Sequence, residues 1–501
     1  GGGNLAILSV NSGTAITAPV TLNAGLLSLQ NTLDGTTGNT LSPIGNQPVI
    51  LNAGQLNVDS GLGTSSLFQN PDGFRRAMST VNSDIYVNGD AAIYGRTTAN
   101  ADIGGNNPET RSLQRIKSLT LADLGAASGP TGESMRNGVT LSLLSVYVAG
   151  PTALGAHANN INVLSNTAGQ AVLGGTVSGG QLTKWGQGYL LLADPNNNYT
   201  GGSVVNGDAI TGSASLLGSL TRTGTPFGSG PITVNPGAIL RIADPSNNAV
   251  TILSDGAGLG GLGLGGNFAP PAFLTSGTAT AGQIVFRSTG DYGGVLALDT
   301  FNYTQTLNMA ALGGGRMWLG SSVISDSVSW TGNVNYFNPV LSPGSADTVA
   351  TAPIFTGSAA TTPVYRLGGG GNRAYLLLGA GAYENVLTGA ANVQIGALPV
   401  PNGAAGLSYI NGNIGTVNLA NRNNLAPGSM VYVNRDSNLI IGNPFALGDA
   451  TLVLNGGNMQ INAPLLNPVS MLSDSVTFNN GQTATSVLRG NVNLSPSGVG
   501  G

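Results

Sequence analysis

The chain has no cysteine, one histidine, two lysines and three glutamates among its 501 residues. Without cysteine there is neither a disulfide framework nor a thiolate metal site. One histidine cannot build a histidine metal cluster, and it confines any Ser-His-Asp triad to His157. No G-x-S-x-G elbow supplies a nucleophile for such a triad. Charged residues make up 8% of the chain, against about 25% in ordinary globular domains. The net charge is −4 and no basic block occurs, so the electrostatic footprint of a nucleic-acid binder is missing. No apolar run reaches the roughly 18 residues of a membrane-spanning helix. The start, Gly1-Gly2-Gly3-Asn4, has neither Met nor a signal peptide, and we read the chain as a mature or excised piece of a longer protein.

What remains is glycine, proline, asparagine, serine, threonine and aliphatics. Gly (79) and Pro (25) punctuate the chain, and the hydrophobic fraction of 41% suffices for a continuous core. Between Gly180 and Leu240 short apolar runs (Tyr189-Leu190-Leu191-Leu192, Ser203-Val204-Val205, Pro231-Ile232-Thr233-Val234) are each closed by turn residues. These closures are Asp194-Pro195-Asn196-Asn197-Asn198, Asn206-Gly207-Asp208 and Asn235-Pro236-Gly237. Runs this short, bounded by residues that tolerate sharp turns, predict a sheet built from many small coils. The phrase recurs upstream as Val20-Thr21-Leu22-Asn23-Ala24-Gly25 and Val49-Ile50-Leu51-Asn52-Ala53-Gly54. Those copies stand 29 residues apart, within the span of one solenoid repeat. Coils of about 22 to 28 residues would number 15 to 20 and stack into a rod on the order of 70–95 Å long. Asn206-Gly207 and Asn235-Pro236-Gly237 are expected at corners between stacked strands.

Part of this stretch resembles a known family. Lys184-Trp185-Gly186-Gln187-Gly188, followed by Asn198-Tyr199-Thr200-Gly201-Gly202-Ser203-Val204-Val205-Asn206-Gly207, is similar to the autotransporter-associated β-strand repeat. Phe227 to Leu240 matches that family's tail loosely. The resemblance covers roughly 60 residues well and further fragments beyond. It implies a right-handed parallel β-helix in a bacterial secreted or surface protein, and it implies no catalytic residues, because the repeat is a structural unit.

Texture divides the chain into five sections. Residues 1–71 are N-terminal solenoid coils, and 72–136 are a more charged excursion, with Glu109, Arg111, Arg115, Lys117, Asp123, Glu133 and Arg136 clustered. Solenoid texture returns over 137–267, an aromatic-rich section spans 268–367, and C-terminal coils occupy 368–501. Within the excursion, Pro108 to Ile116 is expected to start a short helix capped by Asn107, and Leu119-Thr120-Leu121 a strand. The aromatic residues of 268–365, including Trp318 and Trp330, are expected chiefly to fill the core, with an aromatic-lined groove or interface as the other reading. Neither end reads as a polar cap, so both are expected to continue into more protein or to be covered by neighbours.

Three motifs point to chemistry and fail on inspection. Arg115-Ile116-Lys117 matches the R-I-K tripeptide of polygalacturonases, but that family's N-T-D, D-D and H-G motifs do not occur, and no two acids are adjacent. The glycine run 256–266 lacks both the Asp of a calcium nonapeptide repeat and the Lys of a phosphate loop. We expect no catalytic, cofactor-binding or metal-ligating residue, and no cofactor. The fold expected is all-β, a right-handed parallel β-helix, with a Greek-key sandwich as the alternative. The function expected is a non-enzymatic extracellular or bacterial cell-surface protein, an adhesin-like or fibre- or sheath-forming subunit. Its expected partners are copies of itself or neighbouring surface proteins, with host or matrix glycans as a further class. The alternative is a carbohydrate-active β-helix enzyme.

Overall fold

The computed structural model describes residues 4–8, 16–33, 40–41, 44–60, 68–69, 75–76, 80–97, 114–123, 139–164, 170–186, 188–207, 215–219, 225–243, 273–274, 284–289, 292–299, 307–311, 315–321, 335–337, 341–344, 362–370, 375–397, 413–472, 477–480 and 490–493. Nearly all of the regular structure is strand, and the one helical element among these residues is a single turn, Met309–Ala311. The strands stack in parallel, coil upon coil, into a β-solenoid.

Three ladders make its walls. The first begins at Asn4–Leu8 and Leu26–Leu33 and climbs through ten rungs to Ile284–Phe286. The second runs the length of the rod, from Val20–Leu22 to Val492–Asn493. The third, Asn335–Phe337 to Thr477–Asn480, takes over from the first in the C-terminal half. In the second ladder Gln114–Leu121 pairs with both Val146–Val148 and Thr152–Ala153, so a short branch splits off and ends at Val177–Ser178. Leaving that branch aside, seventeen strands stack in one column, a rise of about 75–80 Å at the usual strand spacing. Both figures fall in the range expected from the repeat length.

Register explains why short runs suffice. Leu190, Leu217, Leu240, Leu296, Leu319, Leu367, Ile395, Val433 and Leu454 are direct partners in sequence, each stacked on the last. All nine are completely buried. Each coil needs only a few inward aliphatics, because its neighbours above and below complete the burial. The spacing between partners is 17 residues from Leu454 to Met471 and 56 from Leu240 to Leu296. The period is therefore degenerate in sequence although the core column is continuous in space.

The strands are not all wet on the outside. On the second ladder Val172, Leu191, Leu216, Ile239, Val295 and Trp318 point away from the inner column and form a second buried apolar cluster, which Ala397 joins. Ala397 and Asn413 are bonded backbone to backbone at 2.9 Å, and the Asn413 amide donates to the Gly293 carbonyl at 2.9 Å, 120 residues away in sequence. The chain thus folds back along the outside of the sheet. Tyr189–Leu192, with Tyr189 and Leu191 in the same outer cluster, is likewise four consecutive buried residues with no polar alternation. Trp318 packs in this outer layer, whereas Phe286 and Tyr365 lie in the inner core. Trp330 lies outside the described residues.

Within 72–136, Thr80–Val87, Ala91–Thr97 and Gln114–Leu121 are ladder strands. The helix expected over 108–116 meets a strand at Gln114, Arg115 and Ile116, where Ile116 is fully buried beside Val81 and Val148. Alternation of Gln114, Ile116, Leu119 and Leu121 into the core overrides the local capping signal. Leu119 to Leu121 is strand, as read. Residues 107–113 and the glycine run 256–266 lie outside the described residues.

Candidate functional site

The residues that set 180–240 apart are occupied in holding coils together. Lys184 points inward, in a column of Leu141, Ile161, Val205 and Val234. An ammonium has three donors and no acceptor. Here its Nζ donates to the carbonyls of Trp185 (2.5 Å) and Gly186 (2.8 Å) and to the Ser215 hydroxyl of the next coil (3.1 Å). The lysine of the K-x-G phrase therefore closes its own corner from inside and ties it to the coil above. Gly186 has φ +77°, and a Cβ there would collide with the Asn162 side chain.

Tyr199 is likewise in the core, its hydroxyl 2.7 Å from the Ser203 Oγ. Burial holds that phenol well above its ordinary value, with the Ser203 bond opposing in part. Gly228, at φ +70°, lies against the Tyr199 carbonyl and ring, where no side chain fits. Asn197 is buried between coils: its Oδ1 accepts from Val177 N at 2.7 Å and its Nδ2 donates to Pro226 O at 2.7 Å. On this face one side-chain amide adds bonds to the coil below and the coil above, beside the backbone bond from Asn198 N to Val177 O (2.9 Å). Asn423 does the same between Leu387 N (2.9 Å) and Ala446 O (2.8 Å).

The corners carry exposed or half-buried ladders. Asn88 donates to Asn52 and Asn52 to Asn23, at 3.0 and 2.7 Å. Asn235 donates to Asn206 at 2.6 Å. Asn206-Gly207 follows the strand Ser203–Val205, and Asn235-Pro236-Gly237 joins Ile232–Val234 to Ala238–Ala243, so both are corners of stacked coils, as expected.

Beside the buried Lys184, Arg241 and Arg366, two ion pairs lie at the surface. His157 Nδ1 lies 2.6 Å from Asp123 Oδ1, one coil below. Lys117 Nζ lies 2.8 Å from Asp84 Oδ2, and Ser118 donates to the other oxygen of Asp84, which together hold that carboxyl below its ordinary value. In Arg115-Ile116-Lys117 the middle residue is core and the last is spent on Asp84. Among the described residues no three His, Asp or Glu side chains are grouped to hold a metal, and no helix is long and apolar enough to cross a membrane.

One surface feature was not singled out from sequence. On successive coils of the C-terminal section, Tyr383, Arg422 and Phe445 are exposed, and the Arg422 guanidinium sits 5.7 Å from the Phe445 ring centre. Asn421 accepts from Arg422 N and Asn443 from Phe445 N, at 2.9 and 2.8 Å. Asn443 in turn donates to Asn421 at 3.3 Å, and Asn421 to the Gly381 carbonyl at 2.9 Å. The signal is legible only in retrospect, as an asparagine one residue ahead of Arg422 and two ahead of Phe445. No family model, no curated protein and no solved structure matches this chain.

Proposed function

We propose that this chain is a non-enzymatic structural or adhesive rod of an extracellular or bacterial cell surface, displayed singly or assembled through contacts with its own copies. The observation that carries the reading is the unbroken aliphatic column from Leu190 to Leu454. It makes a stiff scaffold whose polar residues of note, Lys184, Asn197, Tyr199 and Asn423, are turned inward to join coils. The resemblance of 184–240 to the autotransporter-associated repeat supports the same reading, because those residues here perform the structural work such a repeat requires. Scarce charge favours contact between rods: exposed faces repel weakly, and Asn, Ser and Thr pair across an interface without desolvating ions. Light scattering of the purified chain, with electron microscopy of native material, tests assembly. We expect concentration-dependent association or filaments; a monodisperse monomer at high concentration and no assemblies in native material would remove the assembling form. Release of reducing sugar or unsaturated product from pectin, alginate or glucan, lost on changing an Asp, would replace the whole reading with the enzyme.

A further inference from the structure

We infer that the stripe of Tyr383, Arg422 and Phe445 binds an extended, neutral, β-linked polysaccharide lying along the rod axis. Isolated exposed apolar side chains need no explanation. These belong to consecutive coils: Asn385 N bonds Arg422 O at 2.7 Å, and Asn423 N bonds Phe445 O at 3.1 Å. Their turns are tied to one another by the asparagine rail from Gly381 through Asn421 to Asn443. The side chains are thereby presented in a fixed row, so little ordering is left for a ligand to impose.

Width selects the occupant. The row is one side chain across and spans three coils, about 10 Å from Tyr383 to Phe445. A stable protein pair buries about 800 Å² on each side, far more than three side chains offer, so a second copy is disfavoured here. A linear sugar chain needs only such a row, and the two-coil rise is close to the length of one disaccharide in an extended chain. Aromatic rings offer apolar faces to the C–H faces of pyranose rings. The Arg422 guanidinium, 5.7 Å from the Phe445 ring centre and on the middle of the three coils, supplies donors for sugar hydroxyl oxygens. Exposed Glu384 beside Tyr383 offsets the charge of Arg422, so the row has no net charge with which to select acidic sugars.

The inference rests on the non-enzymatic reading only in that the sugar is held and not cut. Titration of the intact chain with cellohexaose, xylohexaose, chitohexaose and a galacturonan hexamer, followed by calorimetry or ligand-observed NMR, tests it. Binding of at least one neutral hexamer is expected, weaker binding of the galacturonan, and a loss of about three- to tenfold in Phe445→Ala and in Tyr383→Ala. Both residues are exposed, so melting temperatures should stay near that of the parent chain, and Phe445→Tyr should retain binding. No binding of any hexamer at millimolar concentration, binding undiminished in both alanine variants, or preference for the galacturonan would overturn the proposal. So would loss of self-association, with sugar binding kept, in Phe445→Ala. Recovery of shortened hexamers would instead count against the non-enzymatic reading while leaving the stripe as the binding site.

Discussion

At the scale of single residues, asparagine does two different jobs in this chain, and burial separates them. Asn197 bridges Val177 N and Pro226 O inside the rod, where water cannot replace either partner. Its loss leaves a donor and an acceptor unsatisfied, each costing roughly 1–3 kcal/mol. Asn197→Ala is therefore expected to destabilise by about 2–4 kcal/mol. At the surface, Asn88 and Asn52 bond each other, but water is at hand. Asn88→Ala should cost less than about 1 kcal/mol. Urea denaturation of the two variants checks the contrast, and equal losses would refute the stitching role given to Asn197. The difference was not legible in the sequence. Both residues stand in Asn- and Gly-rich turn phrases, and only the placement of neighbouring coils buries one of them.

At the scale of the strand, what could be read was the existence of strands and corners, and what could not was the second layer. Runs such as Ser203-Val204-Val205, closed by Asn-Gly, carry their own turn chemistry, so the corners at Asn206 and Asn235 follow from local residues. Tyr189–Leu192 carries a hint in its lack of alternation, but nothing local says what covers its outer face. Higher on the same face, part of that cover comes from Ala397, some two hundred residues on. The helix expected at 108–116 failed at its end for a related reason: inward alternation of Gln114, Ile116, Leu119 and Leu121 is paid back only by partners on other coils. The covered face has a measurable consequence. Leu217 points into the inner column and Leu216 into the outer cluster, and both are fully buried. Leu217→Ala and Leu216→Ala should each cost about 2–5 kcal/mol. On a strand with one wet face the outward substitution would stay within about 0.5 kcal/mol, so a near-neutral Leu216→Ala in thermal or urea unfolding would show that the outer layer does not form.

At the scale of the whole rod, the inner column of each coil packs chiefly on the coils above and below, so stability is approximately a sum of neighbour terms, with the outer contacts of Ala397 and Asn413 the exception. The nine-membered column from Leu190 to Leu454 makes those terms continuous, whereas the Lys184 and Asn197 contacts act between adjacent coils only. The strand Ala238–Ala243 is the ninth of the seventeen stacked along the second ladder. Leu240 within it packs on Leu217 below and Leu296 above. Leu240→Asp places an unpaired carboxylate in that column, at a cost of several kcal/mol. In a compact single-core domain such a lesion lowers protection everywhere. In this rod the damage should stay local: hydrogen exchange measured by mass spectrometry should quicken in peptides covering 215–243 and 284–299. Peptides covering 49–60 and 430–461, several coils away on either side, should keep the protection they have in the parent chain. Calorimetry should then resolve more than one transition, as the segments on either side of the lesion melt apart. Uniform loss of protection along the chain, with one cooperative transition, would mean that coupling reaches far beyond neighbouring coils, and the outer layer that carries Ala397 back to the Trp318 cluster would be the first element to test as its carrier.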